Sequence, residues 1–160
     1  MIYRNLEKEE REMWNKLLRT EDDIAALLAR LFLGIVIFPH GAQKLLGLFG
    51  GYGFSATINF FSQMGIPAVI AFLVIIGEFF GSLGLIFGLL SRFCAFSIGL
   101  IMLGAIALVH WHNGFFMNWS GMQRGEGFEY HLLAIGLALI VVIKGGGKWA
   151  LDQLLARKVG

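Results

Sequence analysis

The chain has 160 residues, of which 57% are hydrophobic and only 15% charged, and its formal net charge is +2. Because so few charged residues cannot cover a water-soluble domain of this length, the composition predicts a protein that resides in a lipid bilayer. A net charge this close to balance gives no support for nucleic acid as a partner. The single cysteine, Cys94, excludes an internal disulfide and a CxxC redox pair.

Residues 1–23 form the first predicted unit, a densely charged arm without the apolar core of a signal peptide. Apolar residues recur in it at helical spacing, which predicts a cytoplasmic amphipathic helix at the membrane surface. These residues are Leu6, Met13, Trp14, Leu17 and Leu18. A docking arm for another membrane protein subunit is the alternative interpretation.

Four apolar segments follow, over residues 24–46, 67–90, 93–112 and 128–143. Their lengths suit α-helices that cross a hydrocarbon core about 30 Å thick. Lys and Arg collect on the side that holds both termini, so both termini are expected in the cytoplasm. We therefore predict an all-α membrane protein, with a four-transmembrane-helix bundle over residues 24–146 and a cytoplasmic interfacial tail over residues 147–160.

Two of the four charged residues within these apolar segments lie away from the outer ends of the segments. Glu78 occupies the centre of the second segment, where a carboxylate is costly unless it faces the protein interior and has a partner. Counting 1.5 Å per residue from the cytoplasmic edge gives depths of about 9 Å for Arg30 and about 14 Å for Glu78. We therefore expect a buried Arg30–Glu78 pair, which either fixes helix register or binds a proton or substrate.

The histidines occur near the outer ends of the segments, together with two further charged residues, Lys44 and Glu129. They are His40, His110, His112 and His131. Residues two apart on a helix point about 200° apart, so only one of each i, i+2 pair can face the bundle interior. The predicted inner cluster, and the catalytic candidate, is His40, His110 and Glu129, with Lys44 at its rim.

Three functions remain open for this cluster. Imidazoles beside a carboxylate can exchange protons with a quinol or phenol head group, because histidine titrates near neutrality. They can also bind a metal ion or ligate a haem. The third function is a hydrogen-bond network that holds helix ends together. No HExxH, CxxCH, P-loop or GxGxxG motif supports a soluble-enzyme function.

Several stretches together resemble the DoxX family of small four-span membrane proteins. They are RLFLGIVIFPHGAQKLLGLFGG, GIP before the second segment, GEFFGSLGLIFGLLSR, VHWHNGFF and the GGGKWALD ending. The resemblance covers about residues 24 to 152, with matching positions in family order. These positions are Arg30, His40, Gly41, Lys44, Pro67, Glu78, Gly81, Gly88, Arg92, His110, Glu129 and Asp152. The chain departs from the family at Ala150, where Ser is common, and in its charged arm.

The resemblance implies a bacterial or archaeal inner-membrane protein associated with quinone-linked redox or respiratory systems. On that basis the chain is expected to be the membrane component of a quinone-dependent oxidoreductase, with quinone or quinol at the polar site. Electrons would come from a bound cofactor or partner, because the sequence shows no redox centre. The alternative is a non-catalytic subunit that joins a larger membrane complex or copies of itself. The sequence identifies neither substrate nor metal.

Overall fold

The computed structural model describes residues 2–159, and for residues 2–5, 7 and 159 it describes the backbone alone. Residue 1 of the predicted arm and residue 160 of the predicted tail lie outside this range. The regular secondary structure of these described residues is all helical, with no strand. Its helices are α1 (Ile2–Leu18), α2 (Ile24–Leu46), α3 (Gly53–Gln63), α4 (Ala68–Phe87), α5 (Ser91–Ala105), α6 (Glu129–Lys144) and α7 (Leu151–Val159). A π-helical turn over Ile106–His110 and a 3-10 turn over Trp111–Asn113 extend α5.

Three helices are long enough and apolar enough to cross a membrane: α2, α4, and α5 together with its extension to Asn113. Helix α6 has 16 residues, or about 24 Å at 1.5 Å per residue, which is less than a hydrocarbon core of about 30 Å. Helix α4, which corresponds to the second predicted segment, ends at Phe87, three residues before the predicted end at residue 90. The reason is Gly88, which ends α4 in the left-handed conformation with φ of 69°.

Helices α2, α4, α5 and α6 close into a ring in which α2 contacts α4, α4 contacts α5, α5 contacts α6 and α6 contacts α2. Small and branched apolar residues fill the interior, among them Leu33, Ile37, Leu85, Ile98, Ala138 and Val141. Large apolar residues also cover the outside, including Phe32, Ile35, Phe72, Leu73, Phe96, Leu100, Leu133 and Ile143. Helices that are apolar on both faces are typical of a bundle surrounded by lipid.

Two glycines of α2 set how this helix packs against α4. A Cβ at Gly34 would lie 2.9 Å from the carbonyl oxygen of Ser82, and one at Gly41 would lie 2.6 Å from the Cα of Phe79. The two backbones can approach this closely because glycine has no side chain. The antiparallel register therefore brings the last turns of α2 beside the middle of α4.

The bundle has two chemically different ends. The end formed by α1, α7 and the α4–α5 turn is called the α1–α7 end, and the opposite end, with α3 and residues 114–128, is called the loop end. Helix α1 packs against α7 and α5, and its Leu18 is buried. Arg92 of α5 also donates to the carbonyl oxygen of Arg19, at 2.9 Å. The N-terminal arm is therefore attached to its own bundle.

Candidate functional site

The central polar contact of the bundle is an ion pair between Lys44 on α2 and Glu78 on α4. Lys44 Nζ donates to Glu78 Oε2 over 2.6 Å, and the two side chains are 25% and 6% exposed. Glu78 lies ten residues into α4, which is about 15 Å from the loop-end start of that helix. The backbone of Glu78 also passes directly beside Gly41, the neighbour of His40. A lysine that reaches inward from the helix end thus neutralises the buried carboxylate.

The predicted pairing of Arg30 with Glu78 is wrong. Arg30 is 2% exposed, and its guanidinium donates to backbone carbonyl oxygens at the α1–α7 end. Arg30 Nη1 lies 2.8 Å from the oxygen of Leu85 and 2.7 Å from that of Ile86, and Arg30 Nε lies 2.6 Å from that of Gly146. Arg30 therefore joins the ends of α2 and α4 to the segment that precedes α7.

The error came from the direction of α4. This helix runs from the loop end towards the α1–α7 end, so the depth of Glu78 has to be counted from the end opposite to the one used for Arg30. The predicted depths of about 9 Å and about 14 Å therefore refer to opposite edges of the bundle. In the antiparallel register, Glu78 faces the last turns of α2, where Lys44 lies, and Arg30 faces the final turn of α4.

At the start of α6 the structure reverses the predicted choice between Glu129 and His131. Glu129 Oε1 accepts hydrogen bonds from the backbone nitrogen of Met117, at 2.9 Å, and from the indole nitrogen of Trp119, at 3.0 Å. The Glu129 carboxylate thus holds the 114–128 loop. His131 is the inward residue of the pair, with 6% of its surface exposed. The i, i+2 argument was sound, but it could not say which residue of the pair points inward.

Four aromatic rings form a chain across the loop end, here called the ring chain. It begins at His40 on α2, continues through Tyr130 and His131 on α6, and ends at His110 after α5. The successive ring centroids are 6.1, 5.4 and 4.2 Å apart. His40 and His110, two of the predicted cluster residues, are therefore at opposite ends of one chain and are connected by two residues of α6.

The far end of the ring chain is tied to the 114–128 loop. The Nδ1 atom of His110 lies 2.8 Å from the carbonyl oxygen of Glu126, and the side-chain amide of Asn113 donates to the same oxygen at 3.1 Å. Because a carbonyl oxygen can only accept, Nδ1 of His110 carries the proton and the neutral ring has its free lone pair on Nε2. At the other end of the chain, His40 is exposed at the bundle surface.

The sequence reasoning missed Tyr130 altogether and rejected His131. Tyr130 occurs within an apolar helix, where an aromatic residue is usually a packing residue, so its type alone gave no signal. His131 did carry a signal, because it was the only alternative to Glu129 at that level of the bundle. Nothing in the sequence decided between the two residues, because Glu129 points outward to bind Met117 and Trp119 of the 114–128 loop, a tertiary contact.

Among the described residues, no three His, Cys, Asp or Glu side chains come together as a group that could hold a metal ion. A cleft of about 600 Å³ lies elsewhere, between α1 and α7, and is lined by residues that include Asn15, Arg19, Gln153 and Arg157. This cleft is at the α1–α7 end, and the ion pair and ring chain are at or near the loop end. The ion pair and the ring chain are therefore separate from this cleft.

A family model described as DoxX matches residues 25–111, which include Arg30, His40, Lys44, Glu78 and His110. The chain belongs to the DoxX family. It is 30% identical over 138 residues to "Inner membrane protein YqjF" of Escherichia coli, covering 86% of this chain and 96% of that protein. It is 32% identical over 133 residues to "Putative oxidoreductase CatD" of Bacillus subtilis, covering 83% and 88% of the two chains. No solved structure matches the chain.

This membership agrees with the apolar exterior of the bundle. The family model, the inner-membrane relative and the three long apolar helices together show that this DoxX chain is a membrane protein. The family match ends at residue 111, shortly after His110. Tyr130 and His131 lie beyond it, although both long alignments with the relatives cover more than four fifths of the chain.

Proposed function

We propose that this DoxX protein is the membrane component of a quinone-linked oxidoreductase system and exchanges protons with a quinol head group at its loop end. The observation that carries the proposal is the Lys44–Glu78 pair, with its 2.6 Å contact and its nearly inaccessible carboxylate. Ionisable groups at membrane depth are rare and commonly mark proton or substrate pathways. The similarity to the relative named "Putative oxidoreductase CatD" supports a redox function for this chain.

The chemistry is divided between this chain and a partner. Oxidation of one quinol to quinone releases two protons and two electrons. One proton passes to the imidazole of His40 and the other to the carboxylate of Glu78 in the Lys44–Glu78 pair. Both groups can act as a base towards the hydroxyl group of a bound quinol. The electrons pass to a redox centre of a partner protein or its bound cofactor. His110 completes the proton path at the far end of the ring chain.

Quinol oxidation in membranes tests this proposal. Membranes that contain the wild-type chain should oxidise added decylubiquinol faster than membranes that lack it, with ferricyanide as the final electron acceptor. In Glu78→Gln the amide is isosteric but cannot carry the proton, so the added rate should fall by about 10²-fold or more, the usual contribution of a positioned acid or base. Protein abundance in the membrane is measured in parallel.

Two matched variants control for general damage. Glu12→Gln removes an exposed carboxylate of α1, and His112→Gln removes an exposed histidine beside His110. Both should oxidise quinol at the wild-type rate, whereas His40→Gln should be slow. A Glu78→Gln protein that is present at normal abundance and oxidises quinol as fast as wild type would contradict the proposal.

We further propose that α6 is the fourth spanning helix and that both termini face the cytoplasm. The excess of Lys and Arg at the α1–α7 end supports this orientation. It can be tested with single cysteines placed at Met122 and Trp149, which are 87% and 75% exposed, in a Cys94→Ala background. A membrane-impermeant thiol reagent added to intact cells should label Met122→Cys and leave Trp149→Cys unlabelled. Labelling of Trp149→Cys alone would reverse the orientation.

A non-catalytic role in a larger complex is the second candidate function. The exposed apolar residues of α1, namely Leu6, Met13 and Trp14, favour it, because they can contact either the bilayer surface or another subunit. Deletion of residues 1–19 distinguishes these uses. If purified complexes lose a partner chain after the deletion, the arm is a docking element. If the complex is retained, the arm serves membrane binding.

A further inference from the structure

Two polar atoms in the middle of the ring chain are buried without a hydrogen-bond partner among the described residues. They are Nδ1 of His131 and the hydroxyl oxygen of Tyr130. The whole His131 residue is 94% buried, since only 6% of its surface is exposed. Buried polar groups are satisfied in the great majority of cases, and one left without a partner costs about 1–3 kcal/mol. Two such atoms on consecutive residues therefore require an explanation.

Packing alone does not provide one. The rings of His131 and His110 are tilted to each other by 43° at a centroid distance of 4.2 Å, and His110 directs its Nδ1 towards Glu126. Tyr130 contacts the rings of His40 and His131 through its aromatic body. A leucine and a phenylalanine would fill the same space without two unsatisfied polar atoms.

We propose that the Tyr130 hydroxyl and the His131 Nδ1–H group are the hydrogen-bond donors that hold a carbonyl oxygen of a quinone head group. The inference rests on the proposed function and identifies the residues that recognise the substrate there. A quinone carbonyl is a planar acceptor with two lone pairs, and it can accept from two donors at once. Tyr130 and His131 position the head group beside His40 and beside the Lys44–Glu78 pair, which exchange the protons.

The way in for the head group follows from the exposure of the ring chain. His40 is exposed at the bundle surface, and Tyr130 is the next ring inward, 6.1 Å away. The opposite end is closed, because His110 and the 114–128 loop are joined by hydrogen bonds to Glu126. A lipid-soluble ligand therefore enters on the His40 side, between α2 and α6.

The test measures binding to the purified full-length chain in mild detergent, using decylubiquinone as the probe and decylbenzene as the matched probe without oxygens. Wild type should bind decylubiquinone with a rise in melting temperature and should not respond to decylbenzene. Tyr130→Phe removes the hydroxyl oxygen alone, so the variant should bind decylubiquinone about threefold to tenfold more weakly, as expected for one net hydrogen bond.

The melting temperatures of the same variants without ligand distinguish the loss of a ligand contact from damage to packing. Tyr130→Phe removes a buried unsatisfied atom, so the ligand-free variant should melt at the wild-type temperature or above it. His131→Leu should also bind weakly, and His131→Asn should recover part of the affinity, because the asparagine amide can occupy the position of Nδ1. His112→Leu, at an exposed histidine, should bind as wild type does.

Three results would overturn the inference. Wild-type affinity in both Tyr130→Phe and His131→Leu removes the two donors from the site and leaves the proposed function intact. Equal responses to decylubiquinone and decylbenzene show that the oxygens are not recognised. A wild-type protein that binds neither probe overturns both this inference and the proposed function. Conversely, the wild-type protein could bind decylubiquinone but not decylbenzene while Glu78→Gln oxidises quinol at the wild-type rate. That result would support the quinone site and contradict the proton-exchange function.

Discussion

Lys44 Nζ and Glu78 Oε2 are 2.6 Å apart and connect the last turn of α2 to the middle of α4. The contact depends on Gly41, whose missing side chain lets the two backbones approach at the level of Phe79. The close packing of α2 against α4 and the pairing of Lys44 with Glu78 therefore depend on the same turn of α2. A change in this register would separate the ammonium group from a carboxylate that has almost no access to solvent.

The first prediction concerns the coupling between these two charges. In Glu78→Leu the ammonium group of Lys44 loses its partner, so the free energy of unfolding should fall by about 1–3 kcal/mol, the cost of an unsatisfied buried polar group. Lys44→Met should be at least as damaging, because the carboxylate it leaves is the more buried partner. The double variant Lys44→Met with Glu78→Leu should be less destabilised than the sum of the single changes, which thermal melts in detergent can measure.

A non-interacting pair of changes provides the control for this cycle. Glu12 is exposed on α1, and Glu12→Leu combined with Lys44→Met should give additive losses. Additive losses for Lys44→Met and Glu78→Leu themselves would mean that the 2.6 Å contact contributes no coupling energy.

Much of the fold could be predicted because it depends on hydropathy along the chain. The apolar segments predicted helix α2 at its observed bounds. They predicted α4, α6, and α5 together with its extension to Asn113, within three residues. The charged arm also forms a helix, and the predicted place of Lys44 at the rim of the cluster that holds His40 follows from their i, i+4 spacing. These features are local, so one helical period is enough to predict them.

The pairing of the polar residues could not be predicted in the same way. The predicted topology already makes α4 antiparallel to α2, so Glu78 could have been counted from the opposite edge. Which residue of α2 it then meets depends on the register set by Gly34 and Gly41, which is a tertiary property. Likewise, Glu129 binds the 114–128 loop because that loop offers the backbone nitrogen of Met117. A single sequence does not specify these long-range contacts.

The second prediction tests the close approach of α2 and α4. A Cβ at Gly41 would lie 2.6 Å from the backbone of Phe79, so Gly41→Ala should push the helices apart and destabilise the protein by about 1–3 kcal/mol. Gly136→Ala on α6 is the matched control, because a Cβ added at Gly136 would meet no atom within 4 Å. The control should melt at or above the wild-type temperature. Equal melting of the two variants would contradict the proposed register constraint.

The third prediction concerns Asp152, which caps α5 from α7. Its carboxylate accepts from the backbone nitrogens of Leu90, at 2.6 Å, and Ser91, at 2.8 Å, and the residue is 1% exposed. Asp152→Ala should therefore lower the free energy of unfolding by about 0.5–2 kcal/mol or more, the usual effect of losing a cap.

Asp152→Asn keeps a hydrogen-bond acceptor at this position and removes the negative charge. The amide oxygen can still accept one of the two hydrogen bonds, so this variant should melt between wild type and Asp152→Ala. Gln153→Ala, at the neighbouring position, should cause a much smaller change, because its side chain makes one hydrogen bond of 3.3 Å to Gly147. If Asp152→Ala melts no lower than Gln153→Ala, the cap does not stabilise the α4–α5 turn.

The fourth prediction concerns pH and Asp23, the residue that precedes α2. A hydrogen bond from Lys144 and another from the backbone nitrogen of Ala25 hold the pKa of this carboxyl below its ordinary value of 3.8. Because the pKa is lower in the folded state than in the unfolded state, the ionised carboxylate stabilises the fold fully above the unfolded pKa. This stabilisation is lost as the pH falls through the folded pKa.

Asp23→Asn removes that ionised group, so the variant should melt below wild type near neutral pH, and the difference should shrink below about pH 4. Asp22→Asn changes the same charge at the adjacent exposed position and serves as the control. Melting temperatures of the three proteins between about pH 7 and about pH 3 give the comparison. At low pH, protonation removes the charge of Asp23 in wild type, as the substitution does in the variant. A melting difference between Asp23→Asn and wild type that stays constant across this pH range would therefore mean that ionisation of Asp23 does not stabilise the start of α2.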